Sequence, residues 1–105
     1  MQTNANQLFD NVRLGDQTTV EPPCVLGKPP RGAKPGELEL VIGSRGIIRP
    51  FTTLYAGTRI GDDFQTGQGV SIREDNRIGN RVSVGTNSVL EFGNRIGDRV
   101  RIHSC

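Results

Sequence analysis

The sequence predicts an all-β fold: a parallel solenoid of about four to five triangular coils whose sides are six residues long. Three observations predict it. From Ile42 onward every sixth residue is aliphatic or Thr: Ile42, Ile48, Leu54, Ile60, Thr66, Ile72, Ile78, Val84, Leu90, Ile96 and Ile102. A second period of 18 lies over the first, because Arg59-Ile60-Gly61-Asp62 returns as Arg77-Ile78-Gly79-Asn80 and again as Arg95-Ile96-Gly97-Asp98. Finally, the 105 residues include 14 Gly and 6 Pro but no Trp, one Tyr and four Phe, so small side chains must be buried in thin, regular layers. A helix would repeat at about 3.6 residues and is excluded, whereas an even period of six suits short strands with alternating side chains.

Taken in order, residues 1–10 read as an N-terminal tail and residues 11–105 as the solenoid domain. The first coil is set by Leu14, Val20 and Leu26, six apart, with Arg13-Leu14-Gly15-Asp16 repeating the longer signature. Sixteen residues separate Leu26 from Ile42 where six are expected. The excess, at about residues 27–38, is rich in Pro and Gly and predicts a protruding loop. Three inward columns follow: Leu14, Ile42, Ile60, Ile78, Ile96; then Val20, Ile48, Thr66, Val84, Ile102; then Leu26, Leu54, Ile72, Leu90. Positions two residues earlier also face inward and hold small or apolar side chains such as Thr52, Phe64 and Val82, with Gly46, Asn76 and Asn94 as departures. Asn76 and Asn94, one coil apart, are expected to form a buried amide ladder. Gly after the column-one aliphatic residue is expected to supply the backbone freedom of a tight corner.

Composition narrows the function. The net charge is +2 with no Lys-rich cluster, which argues against a nucleic-acid partner. No apolar run reaches the ~18–20 residues of a membrane span. Met1 to Asp10 lacks the pattern of a secretory signal, so a cytoplasmic protein is expected. Cys24 and Cys105 have no metal-like or redox-like spacing, and Cys24 falls on an inward, structural position. Arg outnumbers Lys 11 to 2, which favours anion recognition through guanidinium forks. The arginines form columns, Arg59, Arg77, Arg95 and Arg81, Arg99. Their charge requires Asp62 and Asp98, an acidic partner surface or a bound phosphate to offset it.

These repeats resemble the hexapeptide-repeat acyltransferase family, over roughly residues 11 to 105. The resemblance implies a left-handed parallel β-helix; handedness is not contained in the period. It also implies an acyl-CoA-dependent transferase, with acetyl-CoA as co-substrate and no metal, working as a homotrimer with active sites between subunits. The stretch from Ile72-Arg73-Glu74-Asp75-Asn76 to Ile102-His103-Ser104 looks most like sugar or amino-sugar acetyltransferases, with a sugar or nucleotide-sugar acceptor. The γ-class carbonic anhydrases of this fold need three histidines, and this chain has one.

Acyl transfer requires a general base near the attacking hydroxyl or amine. His103 follows inward Ile102 and therefore points outward, as a catalytic base or as a surface or interface histidine. Tyr55, Arg73 and Glu91 fall in one outward column, with Glu74 and Asp75 at the same corner. That set suits a sugar-binding surface, and equally a solvated Arg–Glu pair packed near a partner. Gly67-Gln68-Gly69 reads as a corner, not a nucleotide loop.

Two functions remain open on sequence: the acyltransferase, or an amino-terminal part of one, and a non-catalytic oligomeric scaffold. A solenoid end without a cap exposes apolar rungs, so trimers pairing end to end into hexamers are expected.

Overall fold

The computed structural model describes residues 6–104. Its architecture is a parallel β-helix solenoid: three five-stranded parallel sheets form the faces of a triangular stack, and the chain visits them in turn. Face one comprises Val12–Leu14, Leu40–Ile42, Arg59–Ile60, Arg77–Ile78 and Arg95–Ile96. Face two comprises Thr19–Val20, Ile47–Ile48, Gln65–Thr66, Ser83–Val84 and Arg101–Ile102. Face three comprises Gln7–Leu8, Val25–Lys28, Thr53–Tyr55, Ser71–Ile72 and Val89–Leu90. No helix among the described residues is long and apolar enough to cross a membrane.

The register joins residues of one column across coils: Leu14 faces Ile42, Ile78 faces Ile60 and Ile96, and Ile72 faces Leu54 and Leu90. Their side chains fill the axis together with Cys24, Phe64, Val70 and Val82 from the positions two residues earlier. The stack begins one rung earlier than residue 11. Gln7 and Leu8 pair with Val25 and Leu26, so part of the expected tail belongs to face three. Leu8 does sit six residues before Leu14, but it is exposed and buries little.

The corners follow one rule. The third residue of nearly every corner takes positive φ, including Gln17 (63°), Arg45 (61°), Asp63 (58°), Arg81 (60°) and Arg99 (61°) between faces one and two. The expected backbone freedom of Gly15, Gly43, Gly61 and Gly79 is therefore not what these positions use; none of the four has positive φ. Close approach is the reason. A Cβ on Gly61 would strike Asn80 Oδ1 and lie 2.9 Å from the Gly79 carbonyl carbon, and one on Gly43 would strike Asp62 Oδ1. Those oxygens form a ladder. Asp98 Oδ1 accepts from Asn80 N–H (2.7 Å), Asn80 Oδ1 from Asp62 N–H (2.8 Å), Asp62 Oδ1 from Ser44 N–H (2.8 Å), and Ser44 Oγ from Asp16 N–H (3.2 Å). At this corner the N–H groups of Asp16, Ser44, Asp62 and Asn80, left over by the sheets, are thus each satisfied from the next coil.

Candidate functional site

The corner between faces three and one gathers most of the expected residues. Strand pairing puts Lys28 opposite Tyr55 through a register shift between Leu26 and Lys28, and aligns Thr53 with Ser71 and Ser71 with Val89. Tyr55, Arg73 and Glu91 consequently emerge on successive coils. The Arg73 guanidinium lies 4.8 Å from the Tyr55 ring centroid and the Lys28 ammonium 5.7 Å from it, so the ring has a cation on the rung to either side. Arg73 Nε donates to Glu74 Oε1 at 3.2 Å, and its NH1 is 4.0 Å from Glu91 Oε1. Each such contact is worth about 0.2–1 kcal/mol when partly exposed, so the cluster is held mainly by the backbone beneath it.

That backbone is fixed by an inward row of polar side chains. Arg73 O accepts from Thr58 Oγ1 (2.7 Å) and from Asn76 Nδ2 (2.9 Å). Glu91 O accepts from Asn76 Nδ2 (3.0 Å) and from Asn94 Nδ2 (2.8 Å). Asn76 Oδ1 in turn accepts the Asn94 N–H at 3.0 Å. The two asparagines do bond along the stack, but amide to backbone and not amide to amide as the sequence suggested, because the corner carbonyls lie between them. Asn76 is 1% exposed, and no buried side-chain polar atom among the described residues lacks a partner.

The inserted loop adds to this corner. Ala56 N–H donates to Lys28 O and Gly57 N–H to Glu39 O, which brings both ends of the insertion beside Tyr55. Leu38 approaches closely enough that a Cβ on Gly57 would meet its Cδ1 at 3.4 Å and Glu74 Cβ at 3.5 Å. Lys28 and Glu39 were not among the residues expected from sequence. The ten-residue excess breaks the count by sixes just where they fall. Asp75 turns away from the cluster: its carboxylate is 3.6 Å from Arg95 NH2, and its carbonyl accepts from Arg95 NH1 at 3.1 Å.

His103 stands elsewhere, at the corner between faces two and three. Its side chain is exposed, and its carbonyl accepts from Ser88 Oγ at 3.2 Å. It borders a groove of about 210 Å³ with Arg49, Gln65, Gly85 and Arg101. Within one chain His103 and the Tyr55–Arg73–Glu91 column therefore belong to different corners. Cys24 is buried, with Sγ donating to the carbonyls of Glu21 (3.1 Å) and Arg49 (3.2 Å), and burial pushes its thiol pKa up. A raised pKa disfavours the thiolate and suits a structural cysteine. Cys105 lies outside the described residues. Among the described residues no group of three or more His, Cys, Asp or Glu is placed to hold a metal.

The arginine columns are neutralised differently from the sequence reading. Asp62 and Asp98 each commit one oxygen to the corner ladder, and Asp62 approaches Arg45 (3.8 Å), not the face-one arginines. Arg45 itself makes two bonds to Asp63, at 3.0 and 3.2 Å, and this fork holds the Asp63 carboxyl below its ordinary range. On face one Glu39 pairs with Arg13 and lies 3.8 Å from Arg59.

Comparison with protein-family models, with curated proteins and with solved structures returned no match to this chain.

Proposed function

We propose that the protein is an acyl-CoA-dependent transferase, acetyl-CoA being the expected donor, acting on a hydroxyl or amine of a sugar or amino sugar. The observation that carries this reading is the corner cluster of Tyr55, Arg73, Glu74 and Glu91. An aromatic face gives a sugar ring an apolar platform, while carboxylates and a guanidinium accept from and donate to its hydroxyls. In this reading His103 is the general base: it takes the proton of the attacking hydroxyl or amine as the new C–O or C–N bond forms at the thioester carbonyl, and returns it to the CoA sulfur when the tetrahedral adduct collapses and the C–S bond breaks. Because His103 and the cluster occupy different corners, the reading requires a homotrimer in which the His103 corner of one subunit meets the cluster of its neighbour.

The scaffold reading has one observation in its favour: the His103 ring is exposed, and no side-chain partner orients it among the described residues. A calorimetric titration with acetyl-CoA separates the two. The transferase reading expects saturable binding, acetylation of an amino-sugar panel seen by mass spectrometry, and loss of transfer in His103→Ala with binding retained. Absence of binding at millimolar acetyl-CoA would favour the scaffold, or an amino-terminal part of a longer transferase, instead.

A further inference from the structure

The three faces differ in charge at the outward position of each strand. Face three presents Gln7, Val25, Thr53, Ser71 and Val89, and face two presents Thr19, Ile47, Gln65, Ser83 and Arg101. Face one presents Arg59, Arg77 and Arg95 in direct register on three successive coils. Adjacent parallel strands are about 4.8 Å apart, and like charges directly opposite one another destabilise a sheet. Apart from Arg101 at the end of face two, uncharged side chains serve the same positions on the other faces, and Val41 does so on face one itself, so the fold does not demand arginine here.

Neutralisation within the chain is incomplete and uneven. Glu39 attends Arg59 (3.8 Å) and Asp75 attends Arg95 (3.6 Å), each drawn toward an end of the row. Arg77, between them, has no ion pair among the described residues. A groove of about 620 Å³ runs along this row, lined by the three arginines, Val41 and the strand and corner residues Ile60 to Gly61, Ile78 to Gly79 and Ile96 to Gly97; no carboxylate lines it. The neighbouring corner groove is different, because Arg45, Arg81 and Arg99 share it with Asp62, Asp63 and Asp98.

We propose that face one is a binding strip for a diphosphate group, centred on Arg77 and shared with Arg59 or Arg95 on the adjacent coil. Guanidinium forks bind phosphoryl oxygens in pairs, and two forks one rung apart match two linked phosphoryl groups better than one. The strip is independent of acyl transfer: it rests on the register and charge of face one and includes neither His103 nor the Tyr55 cluster.

Inorganic pyrophosphate is the probe, titrated calorimetrically into the whole chain at fixed ionic strength. Saturable binding is expected, at least tenfold tighter than orthophosphate. Arg77→Gln should weaken pyrophosphate binding by about tenfold or more, as loss of a charge-assisted pair does. Its thermal midpoint should hold or rise, since a like charge is removed from between two others, so the loss cannot be unfolding. Arg81→Gln is the control; Gln17 already occupies the same left-handed corner position three coils earlier, and this variant should bind as the parent does. Equal affinity for orthophosphate and pyrophosphate, an equal loss in Arg81→Gln, or no saturable binding would each overturn the proposal. So would preferential binding of a single-stranded oligonucleotide, which would make the strip a nucleic-acid surface.

Discussion

Replacing Asn76 by Leu tests how the corner beneath the candidate site is held. Three backbone groups lose a partner, and a fourth, the Glu74 carbonyl, loses a long contact (3.4 Å). Asn94 N–H has Asn76 Oδ1 as its acceptor (3.0 Å), whereas Arg73 O and Glu91 O keep Thr58 Oγ1 and Asn94 Nδ2 as second donors. A half-buried orphaned N–H costs about 1–2 kcal/mol, the lower part of the range for a buried one, and each weakened carbonyl about 0.5–1 kcal/mol. The sum, about 2–4 kcal/mol, is a large part of the ~5–15 kcal/mol that a domain of this size possesses. Urea denaturation followed by far-ultraviolet circular dichroism should show the shift. Thr58→Val provides a sharper test, because it removes the other donor to Arg73 O. Only the double variant leaves that carbonyl bare, so the pair must cost more than the two single changes added, by about 1 kcal/mol. Additive effects within about 0.5 kcal/mol, or an Asn76→Leu variant as stable as the parent, would refute the shared-carbonyl account.

Other consequences are as direct. Gly43→Ala should destabilise by about 2–4 kcal/mol, from overpacking and a lost ladder bond, while Gly97→Ala, where a Cβ meets nothing within 4 Å, should be nearly neutral in the same denaturation assay. Cys24 should resist alkylation in the native protein and be labelled once urea unfolds it, as peptide mass spectrometry would report; rapid native labelling would contradict its burial. The Arg45–Asp63 fork lowers the folded carboxyl pKa, so its contribution is present above the unfolded value, near pH 4, and fades as pH falls through the lowered folded one. The thermal midpoints of the parent and Asp63→Asn should therefore differ at neutral pH and converge in acid, with salt closing the small remaining gap because both groups are exposed.

The columns were legible because a period of six leaves no freedom in register: once Ile42, Ile60 and Ile78 are aligned, every outward residue is aligned with them. Tyr55, Arg73 and Glu91 could be placed together on that basis alone. Four features could not. Lys28 joins the Tyr55 ring through a bulge, and a bulge shifts a residue without leaving any trace in the spacing. A glycine needed for close approach looks the same in sequence as one needed for positive φ; only the Cβ positions separate them. The Asn76 amide was expected to meet Asn94's amide, but periodicity places side chains relative to one another and is silent about the corner carbonyls that intervene. The carboxylates that attend face one, Glu39 and Asp75, reach it from a corner, where sequence distance is no guide to separation.

The corner ladder has a consequence for how such a chain can grow. From Ser44 onward every bond in it joins a residue to one 18 positions later, and the glycine that makes room for the incoming oxygen keeps the same offset; only the Asp16–Ser44 bond, which spans the inserted loop, covers 28. A tandem copy of residues 61–78 would therefore meet ready-made partners above and below, lengthening the prism by about 4.8 Å without any new contact having to be invented. The unit of inheritance here is a length of chain and not a set of residues: duplications of 18 are expected to fold with unchanged dichroism per residue, and duplications of 17 or 19 to fail.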